Sequence, residues 1–136
     1  MVEPVVIGVG QNKWVKDANT KMLTLNASIG TSNAQSAKDG ATPYQVPVGK
    51  KFICLSFATS AFSSGTAGQE AGFYIYDDTV QDAGSGTLFF QTHAGAYSNN
   101  QTFEIYYEIP AGHYVTLLNG SFAISKLVVV GVETDV

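Results

Sequence analysis

Phe103-Glu104-Ile105-Tyr106-Tyr107-Glu108-Ile109 alternates two kinds of side chain without a break. Successive side chains of a β-strand point to opposite faces. Phe103, Ile105, Tyr107 and Ile109 therefore share one face, and Glu104, Tyr106 and Glu108 share the other. One face meets a core and one meets water, which predicts a strand of an antiparallel sheet covered on one side. A second stretch, Leu127-Val128-Val129-Val130, is apolar on both faces. It predicts a central strand, or one whose outer side is covered by another subunit.

The composition around these stretches agrees. Val, Ile, Thr, Phe, Tyr and Trp supply 49 of 136 residues, whereas Leu contributes 7, Glu 5 and Arg none. β-Branched and aromatic side chains suit a pleated, half-buried surface. Period-two alternation predicts further strands over residues 5–9, 13–16, 21–26, 50–59, 72–77, 87–92, 102–109, 113–119 and 122–133. The strands at 13–16 and 21–26 are expected to pair around Asp17-Ala18-Asn19. Eight to ten short strands with glycine-rich turns between them predict an all-β protein, a two-sheet antiparallel sandwich of jelly-roll type. The length fits a single domain. Residues 44–136 are expected to form its core, and residues 1–43 to supply N-terminal strands and a polar arm packed on it. The arm is residues 28–42, rich in Ser, Asn, Ala and Gly, and reads as a long surface connection or a segment that orders on a neighbouring subunit.

Two segments echo each other. Val46-Pro47-Val48-Gly49-Lys50-Lys51-Phe52-Ile53 and Ile109-Pro110-Ala111-Gly112-His113-Tyr114-Val115-Thr116 both run apolar, proline, apolar, glycine, basic, then strand. Proline presets φ for the second position of a turn, and the glycine supplies a left-handed residue. The copies predict equivalent corners in two halves of a two-sheet fold.

Residues 44–133 resemble the small jelly-roll virion proteins of tailed bacteriophages, the capsid decoration (cement) proteins and head or tail accessory domains. The likeness is carried by Tyr44-Gln45-Val46-Pro47-Val48-Gly49-Lys50-Lys51-Phe52-Ile53. It continues in the strand from Phe103 to Ile109 leading into Pro110-Ala111-Gly112-His113-Tyr114-Val115, and in the end of the last strand, Val130-Gly131-Val132-Glu133. The resemblance implies a non-enzymatic structural role in a virion made in the host cytoplasm. It also implies a homo-oligomer, commonly a homotrimer, that adheres to a major capsid protein or another virion protein.

Charge and composition set limits on other functions. A net charge of −4 with seven lysines and no arginine disfavours nucleic acid, because arginine is the preferred fork for phosphate and guanine. No run approaches the eighteen apolar residues of a spanning helix, so no membrane partner is expected. The N-terminus lacks the positive region of a secretory signal. Cys54 lies in an apolar run and reads as a buried hydrophobe.

Catalytic and metal-ligating patterns are weak. Asp77-Asp78 with Asp82 does not fit the alternating spacing of a calcium loop and reads as solvated turn residues. Glu104 and Glu108 stand about 13 Å apart along a strand, wide for paired glycosidase carboxylates. His93 and His113 lack ligand spacing, and a metal-dependent barrel would have to bring them together. No cofactor, metal or enzymatic activity is expected. Outward-facing aromatics are the better candidates. Trp14, Tyr44, Tyr74, Tyr76 and Tyr106 form a candidate oligomer or capsid interface, since Tyr and Trp are enriched at interfaces. The polar loop Tyr97-Ser98-Asn99-Asn100-Gln101 offers one ring with amide and hydroxyl donors. Tyr97, Asn99, Asn100 and Gln101 are thus candidates for glycan contact, as in a carbohydrate- or receptor-binding module of a phage tail or fibre.

Overall fold

A computed structural model describes residues 5–7, 14–16, 20–30, 33–62, 71–94, 98–119 and 124–136. It is all-β. The strands are β1 (Val5–Ile7), β2 (Trp14–Lys16), β3 (Lys21–Gly30), β4 (Ala34–Ser36), β5 (Lys38–Asp39) and β6 (Thr42–Pro43). They continue with β7 (Lys50–Phe62), β8 (Ala71–Asp78), β9 (Thr87–Ala94), β10 (Ser98–Ile109), β11 (Tyr114–Asn119) and β12 (Ile124–Asp135).

Ten of these form two antiparallel sheets, a six-stranded one in the order β10-β7-β12-β3-β5-β6 and a four-stranded one in the order β4-β11-β8-β9. The eight principal strands pair as nested hairpins. β3 pairs with β12, β4 with β11, β7 with β10 and β8 with β9. A long double ribbon wound around two facing sheets in this way is a jelly roll. The predicted fold class is therefore what the chain adopts. β12 lies between β7 and β3, as its two apolar faces require.

The core is the alternate residues of the facing strands. Leu25, Phe52, Phe57, Phe73, Ile75, Ile109, Leu117, Leu127 and Val129 are fully buried between the sheets. Each such side chain contributes about 1.5–3 kcal/mol relative to exposure. Gly131 sits where the β12–β7 register shifts. A Cβ there would lie 2.4 Å from the Ile53 carbonyl oxygen and from the Phe52 ring, so only glycine lets Phe52 pack against the β12 backbone.

Two local expectations are corrected. β2 pairs with β1 rather than with β3, whose partners are β12 and β5. Residues 28–42 are no arm: they complete β3 and supply β4, β5 and β6. Ser36 and Ala37 within them are buried. Small side chains let the backbone cross from one sheet to the other, and Ala37 donates its N–H to the Val115 carbonyl at 2.8 Å. The loop of residues 79–86 folds back onto the same segment. Ser36 donates its N–H to Asp82 Oδ1 at 2.7 Å, and Asp82 donates its N–H to Ser36 Oγ at 2.9 Å.

The two echoed turns lie side by side at one end of the sandwich. Gly112 donates to the Val46 carbonyl at 2.8 Å, and Val46 donates to the His113 carbonyl at 3.0 Å. Each turn closes by the N–H of the basic residue bonding the proline carbonyl, Lys50 to Pro47 at 3.1 Å and His113 to Pro110 at 3.2 Å. The prolines thus occupy the first turn position rather than the second. Gly49 and Gly112, at φ 78° and 83°, take the third, where a type II turn requires the left-handed region.

Candidate functional site

β9 and β10 form one lateral side of the sandwich, each at the edge of its sheet. Phe89, Phe90, Phe103, Ile105 and Tyr107 fill the gap between them, and all five are only partly buried. A register shift between Ile75 and Tyr76 inserts one extra residue in β9, and both adjacent phenylalanines reach inward rings as a result. Phe89 stacks on Tyr107 with centroids 4.0 Å apart, and Phe90 meets Phe103 edge-on at 4.9 Å. Phe57 lies beneath both, 5.9 Å from Phe89 and 5.2 Å from Phe90. The result is a continuous apolar seam with partly exposed rings.

The seam ends at a polar clasp beside the turns. Tyr107 donates its hydroxyl to Asp77 Oδ2 at 3.2 Å, and Asp77 Oδ1 lies 2.5 Å from His113 Nδ1. Both carboxylate oxygens are thereby engaged, and Asp77 ties β8, β10 and the second turn together. Burial, then the nearby Asp77 charge, raises the Tyr107 phenol above its ordinary range. Outside the clasp, Glu108 accepts from Lys51 Nζ at 2.8 Å and from the Tyr106 hydroxyl at 3.0 Å. Those two bonds hold the Glu108 carboxyl below its usual range. Asp77, Tyr107, Glu108 and Lys51 line a cleft of about 480 Å³ with Pro110, Ala111 and Val136.

Several sequence-predicted residues sit elsewhere than expected. Tyr44 is 8% exposed. Its ring lies edge-on to Phe52, and its hydroxyl donates to Glu133 Oε2 at 2.8 Å. It is a core residue, placed there because the chain of residues 37–46 closes the sandwich opposite the seam. Asp77 and Asp78 are buried rather than solvated. Their side chains bond a ring, a hydroxyl and the Ser85 N–H. His113 turns onto Asp77, and its side chain stays 29% exposed. Tyr106 is 65% exposed, and Tyr74 and Tyr76 are half-buried. Cys54 is fully buried, and burial pushes its thiol up, away from the reactive thiolate.

Residues 98–101 belong to β10 rather than to a loop, with Ser98 opposite Phe62 and Gln101 opposite Thr59. Asn100 and Gln101 line a shallow cleft of about 310 Å³ on the outer face of the six-stranded sheet. Tyr97 lies outside the described residues, as do the side chains of Trp14, His93 and Asn99. The backbone nevertheless separates the two histidines. His93 pairs with Gly72 while His113 reaches Asp77, a span of roughly 17 Å along β8. Among the described residues, no three His, Cys, Asp or Glu side chains gather in one place. Among the described residues, no helix is long and apolar enough to cross a membrane.

No family model matches the chain, and no curated protein matches it significantly.

Proposed function

We propose that this chain is a non-enzymatic structural protein of a virus particle, a capsid decoration protein. It assembles with copies of itself as a trimer and adheres to the major protein of the shell. The seam between β9 and β10 carries the reading. Five large apolar side chains stay partly exposed together along one side of the sandwich. Contiguous exposed apolar surface marks an interaction site on a soluble fold. Aromatic residues anchor interfaces because they bury much area at little entropic cost.

A second copy is the occupant assigned to the seam. In a ring each subunit offers one surface and receives another, so a lateral side is suited to the contact. The exposed Tyr106 and the Glu108–Lys51 pair border the seam and supply the polar rim such contacts carry. The clasp serves this role as a stiffener, holding the stacked Tyr107 against Phe89.

Light scattering on the full chain tests the proposal. The expected mass is that of a trimer, and Phe89→Ser with Ile105→Ser is expected to give monomers with unchanged circular dichroism. A wild-type chain that stays monomeric at high concentration overturns it. Electron microscopy of the particle that carries the protein tests the shell contact.

A further inference from the structure

The outer face of the six-stranded sheet carries two rows of side chains, fixed by register. Directly opposed residues of antiparallel strands share a face. One row runs Asn100, Ser60, Lys126, Ser28, and the next runs Thr102, Ala58, Val128, Asn26, Lys38. Two shallow clefts lie over these rows, about 310 Å³ around Asn100 and about 380 Å³ around Asn26. They share Lys126 and Val128, and so join into one groove across five strands of the sheet, from β10 to β5.

The lining has a marked chemical bias. Amides and hydroxyls supply most of its polar groups, and among the described residues no carboxylate lines either cleft. Gln35 accepts the Ser28 N–H at 2.9 Å, which fixes that amide in place. Lys38 and Lys126 form no ion pair among the described residues, whereas Lys50 is bound to Asp135 at 2.5 Å and Lys51 to Glu108 at 2.8 Å. The lysines at the turn end are thus neutralised internally, and those in the groove are left to meet an external anion. Register places the two groove lysines roughly 12 Å apart at their backbones, within reach of neighbouring anionic groups on one ligand.

We propose that this groove binds a carboxylate-bearing saccharide. Amides and hydroxyls in rows donate and accept in pairs, as vicinal sugar hydroxyls require, and the two lysines meet the sugar carboxylates. An extended peptide is the poorer occupant. The groove crosses the middle of a sheet, where backbone groups are already paired, so strand addition is closed to it. The net negative charge of the chain does not oppose this, because screening over about 8 Å leaves the local lysine pair dominant. This site is separate from the seam, and oligomeric state reports on the seam alone.

Isothermal titration calorimetry of the full chain tests the assignment, using short oligogalacturonates, sialylated oligosaccharides, neutral galacto-oligosaccharides and an oligoglutamate peptide. At least one acidic saccharide is expected to bind, and the neutral one much more weakly. Lys38→Gln and Lys126→Gln are each expected to weaken binding about tenfold, the equivalent of one charge-assisted hydrogen bond. Asn100→Ala is expected to weaken it several-fold, and Lys50→Gln to leave it unchanged. Failure of both acidic saccharides to bind overturns the proposal. So does binding indifferent to Lys38 and Lys126, or equal binding of oligoglutamate.

Discussion

The two lateral sides of the sandwich are closed by different means. On one side, residues 34–46 cross between the sheets, and the backbone itself makes the seal. Ala37 bonds Val115, Tyr44 bonds Ala37 at 2.9 Å, and Ser36, Ala37, Tyr44 and Val46 are all buried. On the other side, β9 and β10 are joined among the described residues by ring contacts and by Thr92 donating to Gln101 Oε1 at 3.3 Å. The polar segment makes the tighter seal. Small residues permit close backbone approach and their hydroxyls satisfy the amides they bury, whereas bulky rings fill a gap without excluding water from it. A sealed side serves stability, and a side held by partly exposed rings is the one proposed to meet a neighbour.

The largest test of this contrast is a pair of truncations. Tyr44→Ala is expected to cost about 3–5 kcal/mol in urea unfolding, because it empties a buried aromatic site. Phe89→Ala on the open side is expected to cost the isolated subunit clearly less, since its ring is already partly hydrated. Equal losses measured under dissociating conditions would erase the distinction.

A smaller effect is expected at the pin over the sealed side. Asp82→Ala leaves the Ser36 N–H without its side-chain acceptor, and should cost about 1–2 kcal/mol by the same unfolding measurement. An unchanged midpoint would show that the loop of residues 79–86 adds nothing to the seal.

The pH dependence separates the sides further. Burial, then the hydrogen bond to Glu133, raises the Tyr44 phenol far above its ordinary value of 10.0. Its contribution is whole below pH 10 and is lost as pH rises beyond it, because only the unfolded chain gains by ionising. Cys54, raised chiefly by burial from 9.0, adds a loss of the same sign that starts lower. Thermal melts from neutral to strongly alkaline pH are expected to fall less steeply for Tyr44→Phe than for wild type. Parallel curves would count against a buried, paired phenol.

The smallest effect belongs to the rim of the open side. Glu108 is held below its ordinary value of 4.5 by Lys51 and Tyr106. Its contribution is present above that value and is lost as pH falls through the lowered one. The carboxylate is exposed, so Glu108→Gln should flatten the acid limb of stability only slightly, and salt should remove the difference. A large, salt-insensitive change would mean the rim is buried by something beyond a single subunit.

Much of the fold was legible in the chain because strand alternation and turns are local. The run from Phe103 to Ile109 alternates in burial as its spacing requires, and Val128 and Val129 mark a central strand. Gly49 and Gly112 mark turns because few other residues tolerate their backbone angles. The site was less legible. Asn100 and Gln101 could be picked out as polar donors, but their placement beside Lys126 and Ser60 comes from register with β7 and β12. Asp77 next to Asp78 looks solvated in sequence, and nothing local signals that His113 and Tyr107 arrive from other strands to engage it.

The sequence by itself determined the all-β character, the turn positions and which faces of the long strands are apolar, since these follow from the geometry of a few adjacent residues. Tertiary structure alone decided that residues 28–42 enter the sheets, that Tyr44 is buried and that one side of the sandwich is left with partly exposed rings. Those outcomes depend on which distant strands meet. The free energy of burying a group is fixed by its neighbours across the sheet, and its neighbours along the chain do not reveal them.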